Sequence, residues 1–295
     1  MARQLENSER ERGLGRIDLG QFTASDGTRI VYDDEGEGRP LVLLHGLMAD
    51  RTFFQAQNDL AADFRLVAID LRGHGDSRAD GGLTVERLGD DIAELVDRLG
   101  LEDAIGIGWS LGASVLWRML AGPASSRFAG AVIVDMTPRV MNDDDWQLGL
   151  SSEACEGRRQ AIETDFEAFA TGAGEAIFRP TGTPETQAAA EGAGRRFAAN
   201  DAHSISALWS SLMQQDFRAA LARIRQPTLI VHGAHSHLYG PDTADHLAAA
   251  IPDSRIVRFE QSGHSPHIEQ PELFNRTLKQ FAQSLPRVRQ TQASI

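Results

Sequence analysis

The chain has 295 residues, of which 42 are acidic and 29 basic, giving a formal charge of −13. This balance excludes partners that need clustered Lys and Arg, so neither nucleic acid nor an anionic membrane surface is expected. A single cysteine, Cys155, excludes an intrachain disulfide framework and a cysteine-rich zinc site. No run reaches the roughly 18 apolar residues of a membrane span, and the charged start lacks a signal peptide's apolar stretch, so a cytoplasmic protein is expected.

Residues 1–19 are charged and aperiodic and read as a mobile tail. Gln21-Phe22-Thr23-Ala24 and Arg29-Ile30-Val31-Tyr32 flank Asp26-Gly27 and predict a hairpin. A loop follows around Gly36 and Gly38, where the missing helix rules out a phosphate cradle. Leu41-Val42-Leu43-Leu44 is apolar throughout, as in a strand covered on both faces. Thr52 to Ala62 reads as a helix and Arg65 to Ile69 as a strand. Thr84 suits an N-cap for a helix with Val85, Leu88, Ile92, Leu95, Val96 and Leu99 at helical spacing. The strand Ala104 to Gly108, the helix Ser110 to Leu120 and the strand Ala131 to Val134 continue the alternation. Repeated βα units imply an α/β fold, a mostly parallel sheet with helices on both faces.

The alternation then stops. Residues 138–218 hold no strand-like run but several helical stretches, too long and too patterned for a loop, and are read as an inserted helical lid. Asn142-Asp143-Asp144-Asp145-Trp146 is taken as the start of a lid helix. The alternation resumes with a strand from Thr228 to His232, a helix from Asp242 to Ala250, a strand from Arg255 to Phe259 and a helix from Pro271 to about Ser284. The expected organisation is a tail over 1–19, a core over 20–137 and 219–285 split by the lid over 138–218, and a second tail over 286–295.

Gly108-Trp109-Ser110-Leu111-Gly112 lies between a predicted strand and a predicted helix, the setting a nucleophile elbow requires. The turn is tight, so its neighbours must be small. The serine then stands at a helix N-terminus, where amide N–H groups favour developing negative charge. A serine needs a base, and the base an orienting partner. His264, in Gly263-His264-Ser265-Pro266-His267, follows the last predicted strand and lies at the same sheet edge; His267 is read as a neighbour that shapes the loop. His232, His235 and His237 raise a metal site, but spacing alone does not make their rings converge, so no metal is expected.

These segments, with Leu44-His45-Gly46-Leu47 and Asp70-Leu71-Arg72-Gly73-His74-Gly75-Asp76-Ser77, resemble the α/β-hydrolases, in the lid-bearing esterase and peroxidase-like group, over about Phe22 to Phe281. The resemblance implies an oxyanion hole from the backbone amides of Leu47 and Leu111, with His45 and His74 structural. The sequence departs from the family at the acid. The usual position after the seventh strand holds Ser236, which cannot balance an imidazolium as a carboxylate does. Some members place the acid after the sixth strand, where this chain has Asp135, and Asp135 is therefore read as the third member. Asp242 is the weaker alternative because it suits a helix start.

The expected activity is that of a serine esterase or lactonase without cofactors, acting through an acyl-enzyme on Ser110 on a small, largely apolar ester or lactone. Trp109, Trp146, Phe166 and Trp209 are the expected substrate-binding residues. Alternatives on the same scaffold are a cofactor-free oxygenase, a perhydrolase, a carbon–carbon bond hydrolase or a non-catalytic receptor for a small ligand. A homodimer is compatible with these features.

Overall fold

The computed structural model describes residues 18–180 and 183–286. The two expected tails lie outside these residues except at Asp18, Leu19 and Pro286. The first strand begins at Asp18, inside the expected tail, because Asp18 already pairs with Asp34 across the hairpin.

Eight strands form one sheet: β1 (Asp18–Thr23), β2 (Arg29–Glu35), β3 (Arg39–Leu44), β4 (Phe64–Ile69), β5 (Ala104–Trp109), β6 (Phe128–Val134), β7 (Thr228–Gly233) and β8 (Ser254–Phe259). Their order is β1-β2-β4-β3-β5-β6-β7-β8. β1 and β2 run antiparallel, and β4, β3, β5, β6, β7 and β8 pair in parallel. The central strands are apolar on both faces because helices cover both faces: every residue of β5 and β7 is buried. A fully buried Leu, Ile or Val there contributes ~1.5–3 kcal/mol.

The helix α1 (Val85–Arg98) starts where Thr84 accepts the Arg87 amide and buries Val85, Leu88, Ile92, Leu95 and Val96. The helix α2 (Leu111–Leu120) follows β5 directly. Arg51–Ala62 is a 3₁₀ helix, with Asp50 accepting the Thr52 amide at its start.

Between β6 and β7 lie four longer helices: α3 (Ser152–Thr164), α4 (Phe166–Ala176), α5 (Pro184–Ala198) and α6 (Ala202–Met213). Each is preceded by a short polar side chain that caps it: Ser151, Asp165, Thr183 and Asp201 accept the amides of Ala154, Ala168, Thr186 and Ser204. The acidic run before them does not start a helix. Asp143 and Trp146 exchange backbone hydrogen bonds in a turn, Asp143 accepts the Asp145 amide, and its carboxylate pairs with Arg139. The side chain that would have served a helix N-terminus is spent within the turn. After β7 come α7 (Pro241–Ala250) and α8 (Pro271–Ser284). Among the described residues, no helix is long and apolar enough to cross a membrane.

Candidate active site

The sheet's register puts three strand ends side by side. Trp109 at the end of β5 lies opposite Val134 of β6, and Val134 lies opposite Val231 of β7. Ser110, Asp135 and His232 therefore emerge on one edge, each one step further along the chain. The Ser110 amide donates to Val134 O at 3.1 Å, and the Asp135 amide to Val231 O at 2.9 Å.

Ser110 has φ 53° and ψ −120°, a strained conformation for a side chain with a Cβ. Such strain costs about 1–3 kcal/mol and persists only where the surroundings impose it. Here two contacts impose it. A Cβ on Gly108 would lie 2.5 Å from Gly112 O, and a Cβ on Gly112 would collide with the carbonyl of Leu44. Strand and helix approach so closely that only glycine fits, and the serine is thrown outward at the turn. Leu111 opens α2, so its amide has no intrahelical carbonyl to meet. The Leu47 amide, in the turn after β3, donates to no backbone carbonyl among the described residues.

Asp135 also has a positive φ, 47°, and its carboxylate is fully buried. His264 Nδ1 donates to Asp135 Oδ2 at 2.6 Å. Burial acts to raise the carboxyl's pKa, but the hydrogen bonds from His232 and His264 outweigh it and hold Asp135 below its ordinary value. An ionised carboxylate only accepts, so each imidazole presents Nδ1–H to it. His264 Nε2 is then left as the basic nitrogen. Ser110 is half-buried, and no hydrogen bond joins its hydroxyl to the ring among the described residues. Contacts of this kind often tighten only when substrate is bound.

The structure thus brings His264 and Asp135 into direct contact and sets Ser110 beside Asp135 on the sheet edge. Asp242 lies exposed in the first turn of α7, and Gly240 precedes it as the cap. Trp109 is buried: its Nε1–H donates to His264 O at 2.9 Å, and its ring stacks on Phe53 and meets His267. The elbow tryptophan therefore anchors the backbone of the histidine loop. Trp146 is buried under Arg218 and against His246, with Nε1–H on Arg139 O. Trp209 donates to Cys155 O and lies beneath Arg158, and Phe166 is half-buried at the start of α4. For Trp146 and Trp209 these contacts are packing contacts.

His267 is buried against Trp109, Phe54 and Phe274, and among the described residues neither ring nitrogen has a hydrogen-bond partner. Burial, with the nearby His264 charge adding to it, pushes its pKa down to about 3. His45 Nε2 accepts the Leu71 amide and its ring meets His74 edge-on, which locks two turns together. Burial and the His45 charge push His74 down to about 3.

Sequence reasoning missed the roles of His232, Ser236 and Glu269. His232 Nδ1 donates to Asp135 Oδ1 at 2.8 Å and Ser236 Oγ to Asp135 Oδ2 at 2.6 Å. The end of β7 beside the end of β6 was the available signal for both. Glu269 accepts the amides of Arg179 and Gly263, joining the helical segment to the histidine loop, and nothing in its local sequence marks it.

The alpha/beta hydrolase fold pattern matches residues 39–271. A non-heme chloroperoxidase from Streptomyces lividans is 30% identical over 279 residues, covering 90% of this chain and all of the relative. A pimeloyl-[acyl-carrier protein] methyl ester esterase from Nitrosospira multiformis is 28% identical, covering 86% of this chain and 98% of the relative. An esterase structure from Exiguobacterium antarcticum superposes with a TM-score of 0.85 at 26% identity, covering 90% of this chain and 99% of that one. With the elbow, the strand order and the family pattern in agreement, the chain belongs to the alpha/beta hydrolase fold family.

Proposed function

We propose that this protein is a serine hydrolase that cleaves a carboxylic ester or lactone of a small, largely apolar substrate. The observation that carries the proposal is the 2.6 Å bond between His264 Nδ1 and the buried Asp135, on the sheet edge that bears Ser110. His264 takes the hydroxyl proton as Ser110 attacks the acyl carbon. The amides of Leu47 and Leu111 receive the developing oxyanion, which is worth several kcal/mol of barrier. His264 returns the proton to the leaving alkoxide, then activates water to cleave the acyl-enzyme. Asp135 fixes the ring's tautomer and balances its charge. The scheme needs no metal or organic cofactor. The helices between β6 and β7 act as a lid that keeps water from the reacting centre.

The chloroperoxidase named above favours a second reading on the same residues, in which hydrogen peroxide meets the acyl-enzyme and releases a peracid. The test is turnover of p-nitrophenyl butyrate and a panel of lactones, with and without peroxide, beside labelling by a fluorophosphonate. Multiple turnovers with labelling at Ser110 support the hydrolase, and peracid formed faster than acid supports the second reading. Folded protein that neither labels at Ser110 nor turns over any ester or lactone overturns both.

A further inference from the structure

Asp135 is held at both carboxylate oxygens. Oδ2 accepts from His264 Nδ1 and Ser236 Oγ, each at 2.6 Å. Oδ1 accepts from His232 Nδ1 at 2.8 Å and, more weakly, from the Gly233 amide at 3.4 Å. We infer that His232 is a positioning residue for ester cleavage: it grips Oδ1 and so keeps Oδ2 aimed at His264. This inference rests on the serine-hydrolase reading.

The terminal torsion of an aspartate is broad and roughly two-fold, so a carboxylate held on one side can swing. Asp135 has no chain flexibility to spare, since its φ is 47° and its amide is committed to Val231 O. A donor on the far oxygen removes the remaining freedom. His232 lies near the end of β7 directly across from Asp135, so the donor comes from a fully buried strand paired on both sides. The void beside His232, also lined by Tyr239 and Thr243, is about 10 Å³. It admits one water at most, so His232 acts through Asp135 and not on a substrate. There is also a charge argument. One buried carboxylate faces two imidazoles, and His264 is the ring that must become positive during reaction. His232 donates to Oδ1 and so leaves Oδ2 to His264. Ser236 also donates to Oδ2, as a neutral hydroxyl. The end of β7 thus contributes donors to the acid instead of an acid of its own.

The test compares His232→Leu, which removes the donor, with His232→Asn, whose amide nitrogen can take the place of Nδ1, with Asp135→Asn as reference. Expected are a loss in kcat of ~10- to 100-fold for His232→Leu with KM little changed, and substantial recovery in His232→Asn. Wild-type protein should show two far-downfield imidazole N–H protons in its NMR spectrum, one lost in His232→Asn and the other in His264→Gln. Near-wild-type kcat in folded His232→Leu, or equal impairment in the two His232 variants, overturns the inference. If His232→Leu does not fold, the decision passes to His232→Asn and the spectrum, and a single downfield proton in wild type overturns it. Full activity in Asp135→Asn would instead sink the underlying hydrolase reading, which separates the two failures.

Discussion

Asp135 is a single negative charge sealed from water, and its worth depends on the N–H groups around it. Replacing it with Asn keeps the shape but reverses one hydrogen bond, leaving His264 in the wrong tautomer. Asp135→Asn should lower kcat by about 10⁴, as loss of a triad carboxylate does elsewhere. Asp242→Asn, at an exposed helix position, should leave turnover near wild type; the reverse ranking in steady-state kinetics would move the acid elsewhere. The buried histidines contribute to the acid sensitivity of the fold. His74 and His267 stay neutral down to about pH 3 in the folded protein, whereas in the unfolded chain they take up protons near 6.5. Their folded values are depressed, so the unfolded state binds more protons below 6.5 and stability falls as pH drops from there. Each contributes up to roughly 1.4 kcal/mol per pH unit in that window. Urea unfolding between pH 7 and pH 4 should show this slope, and His267→Phe should reduce it.

At the scale of elements, the elbow is the most legible part of the sequence because its constraint is steric and local. Gly108 and Gly112 are needed where β5 and α2 nearly touch, so the glycines themselves record the turn. Gly112→Ala should cost about 1–3 kcal/mol and abolish the proposed esterase activity before it abolishes the fold, measured by denaturation and by fluorophosphonate labelling. The parallel strands are legible for a related reason: burial on both faces writes an uninterrupted apolar run. The acidic stretch before α3 misleads because its charges look like a helix start, while Asp143 pairs with Arg139, four residues before it, and with Arg218, which only the tertiary fold brings close. Of the partners of Asp135, His264 is legible in its own sequence segment, whereas His232 and Ser236 are signalled only by strand order. His232 and Ser236 reach it across 97 and 101 residues, and only the β6–β7 register brings them together.

Over the whole molecule, the helices between β6 and β7 are tied to the chemistry at two places. Asn200 Nδ2 donates to Met48 O at 2.6 Å, and Arg196 pairs with Asp50, so α5 and its end hold the turn that carries Leu47. On the opposite side Glu269 receives the amides of Arg179 at 2.9 Å and Gly263 at 2.6 Å, next to His264. Glu269→Ala removes an acceptor from both, worth about 2 kcal/mol for bonds to a charged group. Hydrogen exchange should quicken at Arg179 and Gly263 together, and kcat should fall with it; exchange confined to one of the two sites would show that the link is not mechanical. One carboxylate thus fastens the segment after α4 to the histidine loop.

The order of the parts along the chain has a practical consequence. Ser110 and Asp135 precede the four helices, while His232, Ser236 and His264 follow them. On the proposed mechanism, a polypeptide divided between α4 and α5 would leave the attacking hydroxyl and its acid on one fragment and the imidazole on the other. Neither piece could complete a turnover alone, so restored ester cleavage on mixing would serve as a reporter of reassembly.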